Sequence, residues 1–418
     1  MDKEKVIRTA YKMMIISTIC TLCTHVSYTW SVLSASLKAQ NGWTNLQASL
    51  PYTIGTMTSG ATAVLGGLSS DGKKPGKMAL FGALLVGLGL CVVALFNDNL
   101  ILICIGYGLM VQCGQNFSNV GLPNAALKWV PTNIKGKTAG LCTVGASLSS
   151  LLISVLFTFY TDKFGLKFGL ICLAITLATI ACIAASQFKP APKEVIEMNK
   201  SDTAEYKVTK TPHEDLTIKQ CLMTKEFWMI NFSWFIVMSA NLAVVSQTVS
   251  MVNSFSSVAL PSWLFVATGG IVGAFGRFFF GSIGDRVGVI KMMAILSGVF
   301  GGCLLVFPNL SNPITLFICY AIIQFVISGM NSTIFAAYGL IFGTKHNGVM
   351  SGLNGTGYIL AGILGPTIAS LFKDNLDTYY PAFILFGVTQ FIAVFVFMSV
   401  HKWLTNYNKS LKENKEIS

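Results

Sequence analysis

The sequence predicts an all-α integral membrane protein whose twelve transmembrane helices form two pseudo-symmetric six-helix bundles. Three observations carry that prediction. Of 418 residues, 53% are hydrophobic and only 11% are charged, against about a quarter charged in a soluble globular chain; the mean hydropathy is +0.64. Apolar windows of roughly 20 residues, enough to cross about 30 Å of hydrocarbon, recur along the whole length. One long polar stretch divides the chain near its middle, and the sequence on its two sides repeats at a nearly fixed offset. Soluble enzymes, nucleic-acid binders and secreted disulfide scaffolds are excluded together.

Taken in order, span 1 (11–35) follows a charged start, Met1 to Arg8, and is too long for the apolar region of a cleavable signal. Span 2 (46–69) ends at a loop holding Asp71 and Lys77, and span 3 (77–97) follows. Span 4 (100–126) carries Gln112, Asn116 and Asn119; span 5 (138–160) carries Gly140 and Gly145; span 6 (166–187) closes the first half. The polar stretch 188–226 is a cytoplasmic linker. Span 7 (227–250) opens the second half, and span 8 (259–283) holds Arg277 and leads to Asp285, Arg286, Gly288 and Lys291. Spans 9 (291–308), 10 (312–342), 11 (348–372) and 12 (379–402) complete it, leaving 403–418 as a tail.

An even number of spans puts both termini on one side. With that side cytoplasmic, only Lys38, Lys163, Lys167 and Lys373 of the 29 basic residues fall in outer loops, and Arg277 lies within a span. The bias fixes the orientation in the cell membrane and explains the net charge of +12 without a polyanionic partner. The eleven cysteines sit mostly in apolar runs and read as packing residues. Cys20 and Cys23 have a redox or metal spacing, but no clustered ligands accompany them, so no metal is expected. No phosphate loop or nucleotide fingerprint is present, so neither an ATP-driven pump nor a cofactor is expected.

Several repeats share the offset of 212 to 214: Asp71 and Lys77 with Asp285 and Lys291; Gln112, Asn116 and Asn119 with Gln324, Ser328 and Asn331; Gly136, Gly140 and Gly145 with Gly348, Gly352 and Gly357. Parallel six-helix halves around a central ligand are a transporter layout. Gly67 to Lys77 resembles a degraded signature loop of the major facilitator superfamily, and Gly281 to Lys291 resembles a fuller copy. Within it the chain is most similar to the oxalate/formate antiporter and monocarboxylate porter group. That similarity rests on Lys225-Glu226-Phe227-Trp228, on the run from Arg277 through Gly281, Asp285 and Arg286 to Gly288, and on Phe342-Gly343 with Gly348.

Arg277 lies eight residues before Asp285, about 12 Å inside the loop at 1.5 Å per residue. A guanidinium there costs at least about 2.5 to 3.5 kcal/mol and keeps its proton. All seventeen acids fall in loops, tails or helix ends, so the simplest counter-ion is an anionic substrate, a carboxylate held by the planar fork. Backbone carbonyls or buried amides could satisfy it instead. The resemblance implies the first reading, since that group binds substrate through an arginine at the matching position. That group also carries a lysine where this chain has Asn354, which either faces the substrate or is a helix-packing amide; one fixed charge suits a monocarboxylate such as formate, lactate or pyruvate. A protonated His25 would reopen the dicarboxylate reading.

His25 could couple a proton or be a neutral hydrogen-bonded histidine. Tyr28 and Trp30 line a small apolar substrate body, as aromatics do in the resembled group, or fill the core. Gln112, Asn116 and Asn119 at i, i+4 and i+7 put three amides on one helix face, repeated by Gln324, Ser328 and Asn331, and either border a water-filled cavity or bond between helices. The resembled group has aromatics where Asn119 and Asn331 stand, which implies a more polar pocket for a hydroxylated or amino-bearing acid. The resemblance makes Asp71 and Asp285, with Lys77, Arg286 and Lys291, conformational clamps, with Gly72, Gly76 and Gly288 permitting turns.

The expected protein is therefore not an enzyme. It is a monomeric secondary transporter of a small organic anion against a counter-anion, working by alternating access. Proton-coupled symport and dicarboxylate exchange are the nearest alternatives, and a neutral-solute porter or transporter-like sensor is the different class.

Overall fold

The computed structural model describes residues 3–71, 74–130, 135–201, 212–213, 218–255, 261–342 and 355–416, and among these every regular element is helical. Ten runs are long and apolar enough to cross a membrane. One of them, Leu141–Ser186, is two spans fused across Gly165, whose φ of 74° and ψ of 170° break the helix. Only glycine adopts that conformation without strain.

Span 2, Asn45–Asp71, adds the remaining crossing. It is the most polar span, and its hydroxyls turn back on their own helix: Thr56 donates to the Thr53 carbonyl (2.8 Å), Thr58 to Ile54 (2.9 Å) and Thr62 to Thr58 (2.7 Å). Such bonds let a hydroxylated helix sit in hydrocarbon. The other spans are Pro75–Leu95, Leu100–Trp129, Lys225–Phe255, Ser262–Val287, Val289–Val306, Pro313–Phe342, Gly355–Leu376 and Tyr380–Glu416. Large apolar side chains such as Ile101, Phe168, Ile175 and Phe395 stay exposed on the flanks, the expected lipid surface.

The first crossing departs from the expected continuous helix. It runs as Lys3–Thr24, breaks at His25 and Val26, makes a 3-10 turn over Ser27–Thr29 and resumes as Trp30–Asn41. Span 4 is also irregular, with π-helical stretches at Cys104–Val111 and Phe117–Gly121.

Small residues set the close contacts that a membrane bundle relies on. A Cβ at Gly145 of span 5 would lie 2.2 Å from the Thr18 carbonyl of span 1, and one at Gly357 of span 11 would lie 3.1 Å from the Asn231 carbonyl of span 7. These glycines are repeat partners in sequence, and they make the same helix contact in each half. The halves meet along two seams, span 2 with span 11 and span 5 with span 8. At the end opposite the chain termini, the Asp374 carboxylate of span 11 accepts from Asn45 N (2.9 Å), Asn45 Nδ2 (2.7 Å) and Leu46 N (2.9 Å), capping span 2 across the first seam.

The linker holds to both halves at its described ends. Trp129 Nε1 donates to the Lys189 carbonyl (3.0 Å), and Val195 is buried in the N-terminal core. His213 N donates to the Ile341 carbonyl (3.0 Å), and its ring stacks between Phe342 and Trp403.

Candidate functional site

The break in span 1 falls at the expected central histidine. His25 N still reaches the Thr21 carbonyl (3.1 Å), whereas Val26 N turns back to Thr24 (3.0 Å), and the chain leaves the helical path there. Non-helical backbone at membrane depth is tolerated where it lines protein or a polar cavity. His25 Nδ1 lies 2.6 Å from Asn119 Nδ2 on span 4. With the amide donating, Nδ1 is the acceptor and Nε2 carries the ring's proton. Asn119 Oδ1 is enclosed without a partner. The His25 ring also packs on Tyr28, with centroids 4.8 Å apart.

Arg277 approaches from the other half, close enough to His25 to act on it electrostatically. Its Nη1 donates to the Thr143 carbonyl of span 5 at 3.2 Å, and its Nε is enclosed without a partner. Among the described residues no carboxylate pairs with it. The arginine thus uses one donor across the seam and leaves another unused, a cost above the roughly 1 to 3 kcal/mol of a neutral buried donor unless something binds it.

On the side of Arg277 away from the termini, a cavity of about 20 Å³ separates the halves, lined by Tyr28, Ser147 and Ser150 from the first half and by Thr248, Gln324 and Ser328 from the second. Tyr320 borders it and accepts from Gln324 Nε2 at 2.8 Å. Sequence reasoning missed Thr143, Ser147 and Ser150, which share a face of span 5 at i, i+4 and i+7. That spacing is legible in the sequence, within a span whose glycines are its more conspicuous feature.

The expected polar face of span 4 does not form. Gln112 is buried with Gln115 and Ser27, whose Oγ donates to Gln112 Oε1 (3.0 Å); Asn116 donates to the Ser59 carbonyl (2.8 Å) and Thr62 Oγ1 (2.7 Å) on span 2; only Asn119 reaches His25. Gln112–Asn116 is regular α-helix with its two predicted amides, Gln112 and Asn116, packed near span 2, and Asn119 falls in the π-helical stretch that follows. Gln112 is therefore an interhelical bond of the first half. Trp30 is corrected likewise: it is fully buried against Tyr107, with ring centroids 4.1 Å apart and planes tilted by 40°, and of the two aromatics only Tyr28 borders the cavity. In span 10, Gln324 and Ser328 line the cavity, and half-buried Asn331 lies one turn further toward the termini.

Asn354 lies outside the described residues, as do Gly72, Gly348, Gly352 and the side chains of Asp71, Asp285 and Arg286. Lys77 and Lys291 are exposed in the first turns of their spans. Gly288 makes the expected turn at φ 92°. Gly76 does not: it sits inside span 3, where a Cβ would lie 2.8 Å from the Ala185 carbonyl, so it serves contact with span 6.

The sequence model of the Major Facilitator Superfamily matches residues 15–366 and again 229–416. The oxalate:formate antiporter of Oxalobacter formigenes is 22% identical over 376 residues, covering 88% of this chain and 85% of that one. The sialic acid transporter NanX of Escherichia coli strain K12 is 23% identical over 372 residues, covering 87% and 85%. With a match over most of its length and helical halves meeting at a central polar site, the chain belongs to the Major Facilitator Superfamily of membrane transporters.

Proposed function

We propose that the protein carries a small carboxylate across the cell membrane by anion exchange, with Arg277 as the carboxylate anchor and both termini cytoplasmic. The observation that carries this reading is the arginine itself: a permanent cation inside a span, unpaired by any described carboxylate, touching the opposite half through one donor with Nε left over. A bound carboxylate supplies the missing charge and acceptor in one group. One such fixed cation favours a monocarboxylate such as formate, lactate or pyruvate. Both relatives are named for acids, which agrees with the anchor and not with any particular acid.

Exchange follows from the same charge. An empty carrier has to reorient with a bare guanidinium at low dielectric, whereas a carrier holding either of two anions does so neutralised. No intramembrane Asp or Glu is available for proton coupling, and His25 is engaged by Asn119.

Counterflow in proteoliposomes tests this, with labelled mono- and dicarboxylates outside and unlabelled acid inside. Arg277→Gln should lose at least about 100-fold of exchange, the size of a lost charge-assisted pair. Arg277→Lys should keep only a minor fraction, because an ammonium lacks the fork and the Nε donor. Undiminished exchange in Arg277→Gln overturns the proposal.

A further inference from the structure

We infer that the cavity beside Arg277 is a hydroxyl subsite, so that the transported acid is a hydroxylated carboxylate and not an alkyl acid. The inference rests on Arg277 as the carboxylate anchor and extends it to the rest of the substrate.

Register places the cavity within a ligand's length of the anchor. On span 8, Gly270, Gly273 and Arg277 stand at i, i+3 and i+7 and share a face. On span 5, Thr143, Ser147 and Ser150 do the same. Arg277 reaches Thr143 at 3.2 Å, and a Cβ at Gly270 would lie 2.5 Å from the Ser147 carbonyl and 2.3 Å from Ser150 Oγ. The two faces therefore run antiparallel in contact, and the serines begin about one helical turn, roughly 5.4 Å, beyond the arginine. A carboxylate on Arg277 extends its next few carbons toward them.

The lining has the chemistry of a hydroxyl site. Tyr28, Ser147, Ser150, Thr248, Gln324 and Ser328 each bring a hydroxyl or amide. Ser150 donates back to the Ser147 carbonyl (3.0 Å) and Thr248 to Val244 (2.7 Å), as expected of hydroxyls that need no ligand. Ser147 Oγ, only 4% exposed as a residue, has no partner. Substrate hydroxyls both donate and accept, and so match this mixed set. An alkyl chain would bury the lining without replacing water, the situation in which hydrogen-bonding sites reject the analogue that lacks the group. The lining is divided between the halves, and the volume of about 20 Å³ belongs to a state with span 2 capped by Asp374, so admitting a substrate requires the halves to part.

Trans-stimulated exchange by the full-length protein in proteoliposomes decides the matter, comparing glycerate with propionate and gluconate with hexanoate, pairs of equal chain length. The wild type should prefer each hydroxylated acid by roughly tenfold or more. Ser147→Ala and Ser328→Ala should each lower that preference severalfold. If either variant does not fold, the wild-type comparison stands alone. Equal exchange of glycerate and propionate overturns the hydroxyl subsite and leaves the anchor intact. Exchange of none of the four overturns the subsite, and persistence of exchange in Arg277→Gln overturns the anchor and the subsite with it.

Discussion

Arg277 and His25 are the two ionisable side chains that the fold brings together at the centre, one from each half, and they have different jobs. The guanidinium has a fixed charge and a free donor, and in the proposed carrier it is the binding group. His25 sits where span 1 breaks, held by Asn119, and on the same proposal it shapes the site. His25→Gln should therefore slow exchange by about tenfold, the worth of one buried hydrogen bond, while the ratio of uptake with and without an imposed pH gradient stays that of the wild type. A gradient response that vanishes in His25→Gln would instead make the imidazole a proton carrier. Arg277 stood out in the sequence because a lone charge within a span is visible in a linear string. The His25–Asn119 pair did not, because it joins residues 94 positions apart.

Among the elements, spans 2, 5, 8 and 11 form the seams between the halves. Asp374 closes one of them by accepting three hydrogen bonds at the N-terminus of span 2, from the opposite half of the molecule. A carboxylate cap there is worth about 1 kcal/mol, from both hydrogen bonding and the helix dipole. Asp374→Asn should thus shift the carrier about fivefold toward the state open on that side. The measurement is labelling of a Thr53→Cys variant by a membrane-impermeant thiol reagent, since Thr53 is buried on span 2 below the cap. An unchanged labelling rate would mean that the cap does not hold the gate. Most boundaries bordering short loops were legible to within a few residues because apolar length determines them, whereas the helices at both chain ends, which start at Lys3 and run to Glu416, extend well beyond spans 1 and 12 as read from apolar length. The break in span 1 and the π turns of span 4 were not legible, since no proline or glycine marks the first. Of the three predicted amides, only Asn119 falls in such a turn.

For the whole molecule, alternating access as proposed would be a motion of two similar halves around one site. Gly145 against span 1 and Gly357 against span 7 keep each body packed internally, while the described linker ends are anchored to the half beside them. If exchange is obligatory, unlabelled acid inside the vesicles should accelerate labelled uptake at least about tenfold over empty vesicles, the effect of neutralising Arg277 before it crosses. Equal rates would point to uniport. By itself the sequence determined the twelve crossings, the two halves and the one stranded charge, because hydrophobic length, charge bias and an internal repeat are one-dimensional properties. Only the tertiary structure decided that Asn119 serves His25 while Gln112 and Trp30 serve the core, and that Ser147 and Ser150 face the cavity beside Arg277. Which way a side chain points depends on local helix geometry and on the neighbour it meets, and apolar periodicity carries little of that in a span surrounded by lipid on one side and protein on the other.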